Sequence, residues 1–220
     1  MNLYDKALRR FTISPDKERP IFEEPRPYGD YIIATDTVSL IRIRKDLCED
    51  SYPDYKGNLP NFDRIFPKVD CSSVLQVERL ATVIGSIPWS ETVKVSGPEA
   101  ECKECDGSGS VYWEYIDNNG NEHHLDHDCP LCEGRGRFTE RTLSRVDRSI
   151  AINDVCFNVG YIRDILLTIS ELGHKSATVR HIAAASAMLI NVESGVDILL
   201  MPNKSTIPAC KIRLNKSHKS

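Results

Sequence analysis

The sequence predicts an α+β fold with antiparallel sheets and helices on one face, plus a small inserted zinc-ribbon β-hairpin module. Two observations predict it. The order helix-then-strands occurs three times along the chain, which is the layout of sheets that bury one face under helices. The eight-residue pattern C-x-x-C-x-G-x-G occurs twice, at Cys102–Gly109 and at Cys129–Gly136, between two predicted strands.

Leu3, Ala7, Leu8 and Phe11 share one side of a short N-terminal helix that Pro15 ends. Pro20, Pro25 and Pro27 then punctuate an edge or connecting segment. Tyr31–Ala34 and Val38–Ile43 read as a hairpin around Thr35-Asp36-Thr37. Residues 45–61, with Gly57 and two prolines, read as a loop. Val77, Leu80, Ala81 and Ile84 follow helical spacing in a second helix that Pro88 closes. Thr92–Val95 is a short strand, and strand character resumes at Arg141–Val146 and at Ile150, Ile152 and Val155. The third helix has Asn158 as N-cap, an apolar stripe of Ile162, Ile165, Leu166 and Ile169, and Gly173 at its C-terminal end. Three strands follow, Ala177–Ile182, Ala187–Val192 and Val196–Met201.

The paired C-x-x-C motifs supply four thiolates, Cys102, Cys105, Cys129 and Cys132, a complete tetrahedral set for one structural Zn2+. The glycines after each pair permit positive φ, so the backbone curls back toward the sulfurs. Between Cys105 and Cys129 lie 23 residues that hold a hairpin: Val111–Ile116 as strand and Asp117–Gly120 as turn. Tyr112, Trp113 and Tyr115 are expected to form the ribbon's own small core, the alternative being a peptide-binding surface. His123, His124 and His127, beside Asp126 and Asp128, are expected at a solvated hairpin tip, the alternative being a second, catalytic metal. Two disulfides would need an oxidising compartment that nothing else in the chain supports. The remaining cysteines, Cys48, Cys71, Cys156 and Cys210, are scattered singly, and Cys156 is expected to be a buried thiol.

The chain of 220 residues, 27% charged and 40% hydrophobic, has the composition of a globular protein with one or two domains. Met1–Lys6 has no apolar signal core, and Ile182–Ile190 is too short to span a bilayer, so the expectation is a cytoplasmic protein with no membrane partner. A net charge of −4 argues against coating nucleic acid indiscriminately. The distribution is uneven. From Pro202 on there is no acid but there are Lys204, Lys211, Arg213, Lys216 and Lys219, which leaves the rest near −9. Arg135, Arg137, Arg141, Arg145 and Arg148 form a second basic run. These arginines, with Lys211 and Arg213, are the candidate phosphate contacts, or else a solvated face and a loose tail. The domain expectation is a discontinuous body of 1–98 and 141–207, the zinc ribbon at 99–140, and a basic tail at 208–220.

Two resemblances follow from these residues. The paired C-x-x-C-x-G-x-G resembles the cysteine-rich zinc module of DnaJ-type co-chaperones, reduced to two repeats and hence one zinc. No His-Pro-Asp signature of the J-domain occurs, so this resemblance implies a metal fold and not co-chaperone activity. Four further segments, in order, resemble the bacterial DNA polymerase III beta sliding clamp. They are Asp16–Ile21 with Tyr31–Asp36, then Asn58–Lys68, Phe157–Leu166 and Asp197–Lys204. The implied fold is a DNA-clamp-like α+β domain, and the implied partners are DNA and a protein. A homo-oligomer is also implied, since a clamp subunit carries three domains and this chain has length for fewer.

In the clamp, segments matching Thr35, Leu40, Leu199, Leu200, Met201 and Pro202 wall a peptide pocket. The clamp's G-H-R there is Thr37-Val38-Ser39 here, and the apolar residues also read as a last core strand. The functional expectation is a non-enzymatic clamp-like module that binds DNA or replication and repair proteins, with a structural zinc. The alternative is a chaperone-like or adaptor protein that binds peptides through its DnaJ-type zinc module. The sequence contains no Walker loop, H-E-x-x-H or G-x-S-x-G, and a four-cysteine zinc has no open position for substrate, so no enzyme is expected.

Overall fold

The computed structural model describes residues 2–15, 19–57, 59–67, 72–94, 100–138, 140–180, 187–204 and 208–216. Asp16–Glu18, Asn58, Lys68, Cys71, Val95, Ile182 and Lys219, named above, lie outside the described residues. The chain divides into two compact units, 1–87 with 145–220, and 88–144.

The first unit begins with α1 (Leu3–Arg10), whose Asn2 side chain accepts from the Asp5 amide at 2.9 Å. Strands β1 (Arg26–Tyr28), β2 (Tyr31–Thr35), β3 (Ser39–Arg44) and β4 (Ser72–Gln76) precede α2 (Val77–Ser86). The second unit holds β5 (Ser90–Lys94), β6 (Ala100–Glu101), β7 (Ser110–Ile116), β8 (Glu122–Asp128), β9 (Arg137–Phe138) and β10 (Glu140–Ser144). The chain then returns to the first unit through β11 (Ser149–Ile152), β12 (Val155–Asn158) and α3 (Val159–Glu171). Strands β13 (Ser176–Arg180), β14 (Met188–Glu193), β15 (Val196–Leu200), β16 (Cys210–Ile212) and β17 (Asn215–Lys216) complete it.

An eight-stranded antiparallel sheet organises the first unit, in the order β1-β2-β3-β15-β14-β13-β4-β17. Side chains alternate across a strand, and the two faces have different covers. One face, with Ile41, Ile43, Leu75, Ile190, Ile198 and Leu200, packs against the apolar sides of all three helices. The other, with Ile33, Leu40, Leu189 and Leu199, packs against Phe22, Tyr28, Leu59, Phe62 and Phe66. The helices therefore lie on one face, and mostly aromatic residues of β1 and the connecting segments cover the opposite one.

Helix α3 has the expected stripe: Ile162, Ile165, Leu166 and Ile169 are all buried, and Asn158 Oδ1 accepts from the Gly160 amide at 2.7 Å. At its other end Gly173 has φ +85°, which relieves the strain a side chain would bring there. Lys6 and Arg10 of α1 both reach Glu171 of α3, at 2.8 and 2.7 Å.

Three strands depart from the expected layout. Strand β4 precedes α2 directly, and Gln76 makes no side-chain cap; the Val77 amide instead donates to Lys175 O at 3.0 Å. Strands β16 and β17 fall in the segment expected as a basic tail. Backbone pairing explains the correction: β16 runs parallel to β11, with Lys211 opposite Ala151, and β17 closes the edge of the large sheet on β4. Cys156 is half-buried, and burial raises its thiol pKa.

In the second unit, β5 and β10 pair along their whole lengths, from Ser90↔Ser144 to Lys94↔Glu140. Beyond them β6 pairs with β9, and β7 with β8 forms a separate two-stranded ribbon. Among the described residues no helix is long and apolar enough to cross a membrane.

A four-thiol centre and an exposed ribbon

The two cysteine knuckles fold as near copies. Gly107 donates to Cys102 O at 3.0 Å, as Gly134 does to Cys129 O at 3.3 Å. The Gly109 amide points at Cys105 Sγ and the Gly136 amide at Cys132 Sγ, each at 3.2 Å. The knuckles also lock together: Cys102 N donates to Gly136 O at 2.9 Å and Cys129 N to Gly109 O at 2.8 Å. Asp106 and Glu133, at matching places, both have positive φ, 44° and 54°. That backbone strain appears at both loops because each must turn two sulfurs toward one shared point.

All four Sγ atoms are buried and lie within 4.8 Å of one another. Cys102–Cys129 and Cys105–Cys132 are both 3.8 Å apart. Four sulfurs at about 2.3 Å from a tetrahedral metal are set about 3.8 Å from each other, whereas a disulfide would need about 2.05 Å. The donor set therefore fits a metal ion. Burial pushes the Cys102 thiol up to about 11. At Cys105 burial acts in the same upward direction, but the Gly109 amide and the neighbouring thiols outweigh it and bring the thiol down to about 7. Among the described residues, Val111 and Phe138 pack against the cysteines as a small core.

The ribbon's aromatics are not that core. Tyr112, Trp113 and Tyr115 are 58%, 56% and 57% exposed, which corrects the expectation that they pack inside the ribbon. A two-stranded sheet has no second layer to cover either face. The histidines sit along β8 rather than at the turn alone. Tyr115 stacks on His123 at 4.9 Å and Tyr112 on His124 at 5.6 Å, while Trp113 and His127 are tilted at 5.8 Å. His123 Nε2 lies 3.1 Å from Asp117 Oδ2.

The candidate phosphate contacts are dispersed. Arg135 and Arg137 are exposed beside the knuckles, where Arg135 Nε donates to Cys132 O at 3.1 Å. Arg141 lies on β10 opposite Val93, with its side chain outside what is described. Arg145 caps α2: its guanidinium donates to Ile87 O at 2.6 Å and Gly85 O at 3.0 Å, carbonyls that a helix end leaves unbonded. Arg148 is only 3% exposed, so it is not a surface contact; its backbone O accepts from Val159 N where β11 and α3 meet. Lys211 and Arg213 are exposed at and after β16, and Arg213 lies 3.5 Å from Asp154.

The six candidate pocket residues do not line one surface. Thr35 and Leu40 are opposite one another on β2 and β3, and Leu40 is opposite Leu199 on β15. Leu40 and Leu199 are buried beneath the chain's own Phe62 and Phe66 side of the sheet. Leu200 points the other way, into the helix-covered core, which corrects its place in the pocket; the period of two along a strand requires it. Met201 is exposed and Pro202 half-buried. Arg42 helps hold the cover down. It pairs with Asp197 at 2.7 Å and stacks on Phe66 at 3.7 Å. A shallow pocket remains, lined by Ile21, Phe22, Tyr28, Thr35, Leu59 and Phe62 among others.

No known protein family matches the sequence, and no curated protein does. Solved structures do match in fold. The DNA polymerase III beta subunit of Thermotoga maritima is 11% identical, with 93% of this chain aligned at a TM-score of 0.50. The Helicobacter pylori beta clamp, solved with a DNA ligase peptide bound, is 13% identical, with 92% aligned at a TM-score of 0.50. The chain spans 64% and 63% of the length of those two proteins. At such identities the likeness is one of architecture: this chain has a clamp-like α+β fold.

Proposed function

We propose that the chain is a non-enzymatic, clamp-like module that binds DNA or replication and repair proteins, and that one structural Zn2+ holds its 88–144 unit in shape. The observation that carries this reading is the fold shared with the beta clamps, an antiparallel sheet with helices on one face. The Helicobacter pylori clamp binds a DNA ligase peptide, which supports a protein-docking role for this architecture.

The zinc half of the reading rests on chemistry. Four thiolates at tetrahedral spacing suit zinc, and such a site leaves no open position for a substrate. The symmetry of the two knuckles agrees with a single DnaJ-type module of two repeats. Ligand binding at structural zinc sites is worth about 10–16 kcal/mol, which is folding energy for a unit with so few apolar residues.

Of the candidate phosphate contacts, Lys211 and Arg213 are exposed on the first unit, and Arg135 and Arg137 on the second. Anisotropy titration of labelled duplex with zinc-loaded protein, repeated over a range of salt, tests the DNA half. The expected outcome is an affinity that falls steeply as salt rises, and more weakly so in Lys211→Ala/Arg213→Ala. Absence of binding at low salt sinks that half. A second reading, peptide binding by the zinc module, is favoured by one observation: the exposed Tyr112, Trp113 and Tyr115.

A further inference from the structure

The β7–β8 ribbon leaves both faces open to solvent; every residue of β8 and all but one of β7 beyond Ser110 are exposed. One face carries Val111, Trp113 and Tyr115 opposite His127, Leu125 and His123. The other carries Tyr112, Glu114 and Ile116 opposite Asp126, His124 and Glu122, with Asp128 next along. Residues 110–128 contain five carboxylates, Glu114, Asp117, Glu122, Asp126 and Asp128, and no lysine or arginine.

These facts select among partners. Aromatic rows on a ribbon are a stacking surface for nucleotide bases, but a backbone of phosphates would meet uncompensated carboxylates here. A cationic polypeptide meets the opposite situation. Guanidinium and ammonium groups are attracted to the faces of Trp and Tyr rings and to carboxylates, and arginine does both with one planar group. Tyr112 lies directly opposite Asp126 and two residues from Glu114, so a cation over its ring has carboxylates within side-chain reach. On the opposite face Trp113, Leu125 and Tyr115 offer an apolar patch for the same segment's uncharged side chains, all more than half exposed.

We propose that this ribbon is a docking surface for an arginine- and lysine-rich polypeptide segment, held by cation–aromatic contacts and by the ribbon's carboxylates. The proposal deepens the peptide-binding reading of the zinc module, and rests on it only in requiring that the module be folded.

The test uses the full-length, zinc-loaded protein and three labelled probes: a dodecapeptide of alternating arginine and serine, its glutamate counterpart, and single-stranded oligo-dT. Binding is followed by anisotropy for the native protein, for Trp113→Ala/Tyr112→Ala and for Glu114→Gln/Asp126→Asn, with bound zinc measured for each by a chromogenic chelator. The expected result is binding of the arginine peptide alone, weakened about tenfold or more in each double variant, with zinc content unchanged. Unchanged affinity in the aromatic variant would reduce the effect to bulk charge attraction and overturn the proposal. Binding of oligo-dT in preference to the arginine peptide would also overturn it, in favour of a nucleic-acid surface. Peptide binding by a protein that holds no zinc would instead refute the metal reading and leave the docking surface standing.

Discussion

A side-chain carbon on Gly109 would lie 2.3 Å from the carbonyl oxygen of Gly134, in the opposite knuckle. The reciprocal contact holds as well: a carbon on Gly136 would lie 2.3 Å from Gly107 O. Each glycine also has φ above 70° or at it, 79° and 70°. The second glycine of each repeat is therefore required twice over, by its own backbone and by the approach of the other repeat. Gly109→Ala or Gly136→Ala should weaken metal affinity by about tenfold or more, since left-handed strain alone costs about 1–3 kcal/mol. Competition with a chromogenic zinc chelator measures it. Gly120→Ala, at a turn with open space around it, should leave metal affinity unaffected.

Metal removal should act on one unit. Chelation is expected to expose the amides of Cys102 and Cys129, bonded across the knuckles, and those of Gly109 and Gly136, aimed at the sulfurs of their own knuckles, to rapid hydrogen exchange. Amides of α3, which sits in the first unit's core, should keep their protection. Loss of protection throughout both units on chelation would show that the metal supports the whole chain rather than 88–144.

Arg145 is expected to matter for stability. Its two bonds to the carbonyls at the end of α2 are charge-assisted, and such bonds are worth about 1.5–3 kcal/mol. Arg145→Ala should lower the melting temperature of the first unit while leaving any DNA affinity near that of the native protein. A variant with native stability and reduced DNA affinity would reverse this assignment.

The link between α1 and α3 gives a pH dependence. Hydrogen bonds from Lys6 and then Arg10 hold the Glu171 carboxyl below its ordinary value of 4.5. A carboxyl depressed in the folded state adds stability at pH above the unfolded value and loses it as pH falls through the folded one. Denaturant midpoints should therefore drop below about pH 4.5, and less steeply in Glu171→Gln. Equal slopes for the two proteins would remove Glu171 from the acid response.

Much of this was legible in the sequence because local and global signals agree. Helix α3 carries its cap, stripe and terminal glycine in order, and the cysteine spacing alone predicts four convergent thiols. What was not legible has specific causes. Strand β4 buries only Leu75 of its five residues, and its Ser72-Ser73 start gives no alternation to read. Strands β16 and β17 owe their existence to backbone partners far away in the chain, β11 and β4, which no local pattern signals. Arg148 and Leu200 look like surface candidates by composition and motif, yet both are buried, Leu200 by strand register and Arg148 at the turn that leads into β11. Exposure of the β7 aromatics depends on the absence of a second layer, a fact of tertiary arrangement.

Light scattering on a sizing column, with the zinc-loaded chain run alone and with duplex DNA, tests the clamp-like DNA-binding module directly. The chain spans 64% and 63% of the length of the two beta clamps, and the DNA-binding proposal extends to more than one copy on the duplex. The prediction is a mass above that of one 24.8 kDa chain, co-eluting with the duplex at low salt. A mass of one chain under both conditions, with the DNA eluting separately, would contradict the DNA-binding half of the proposal.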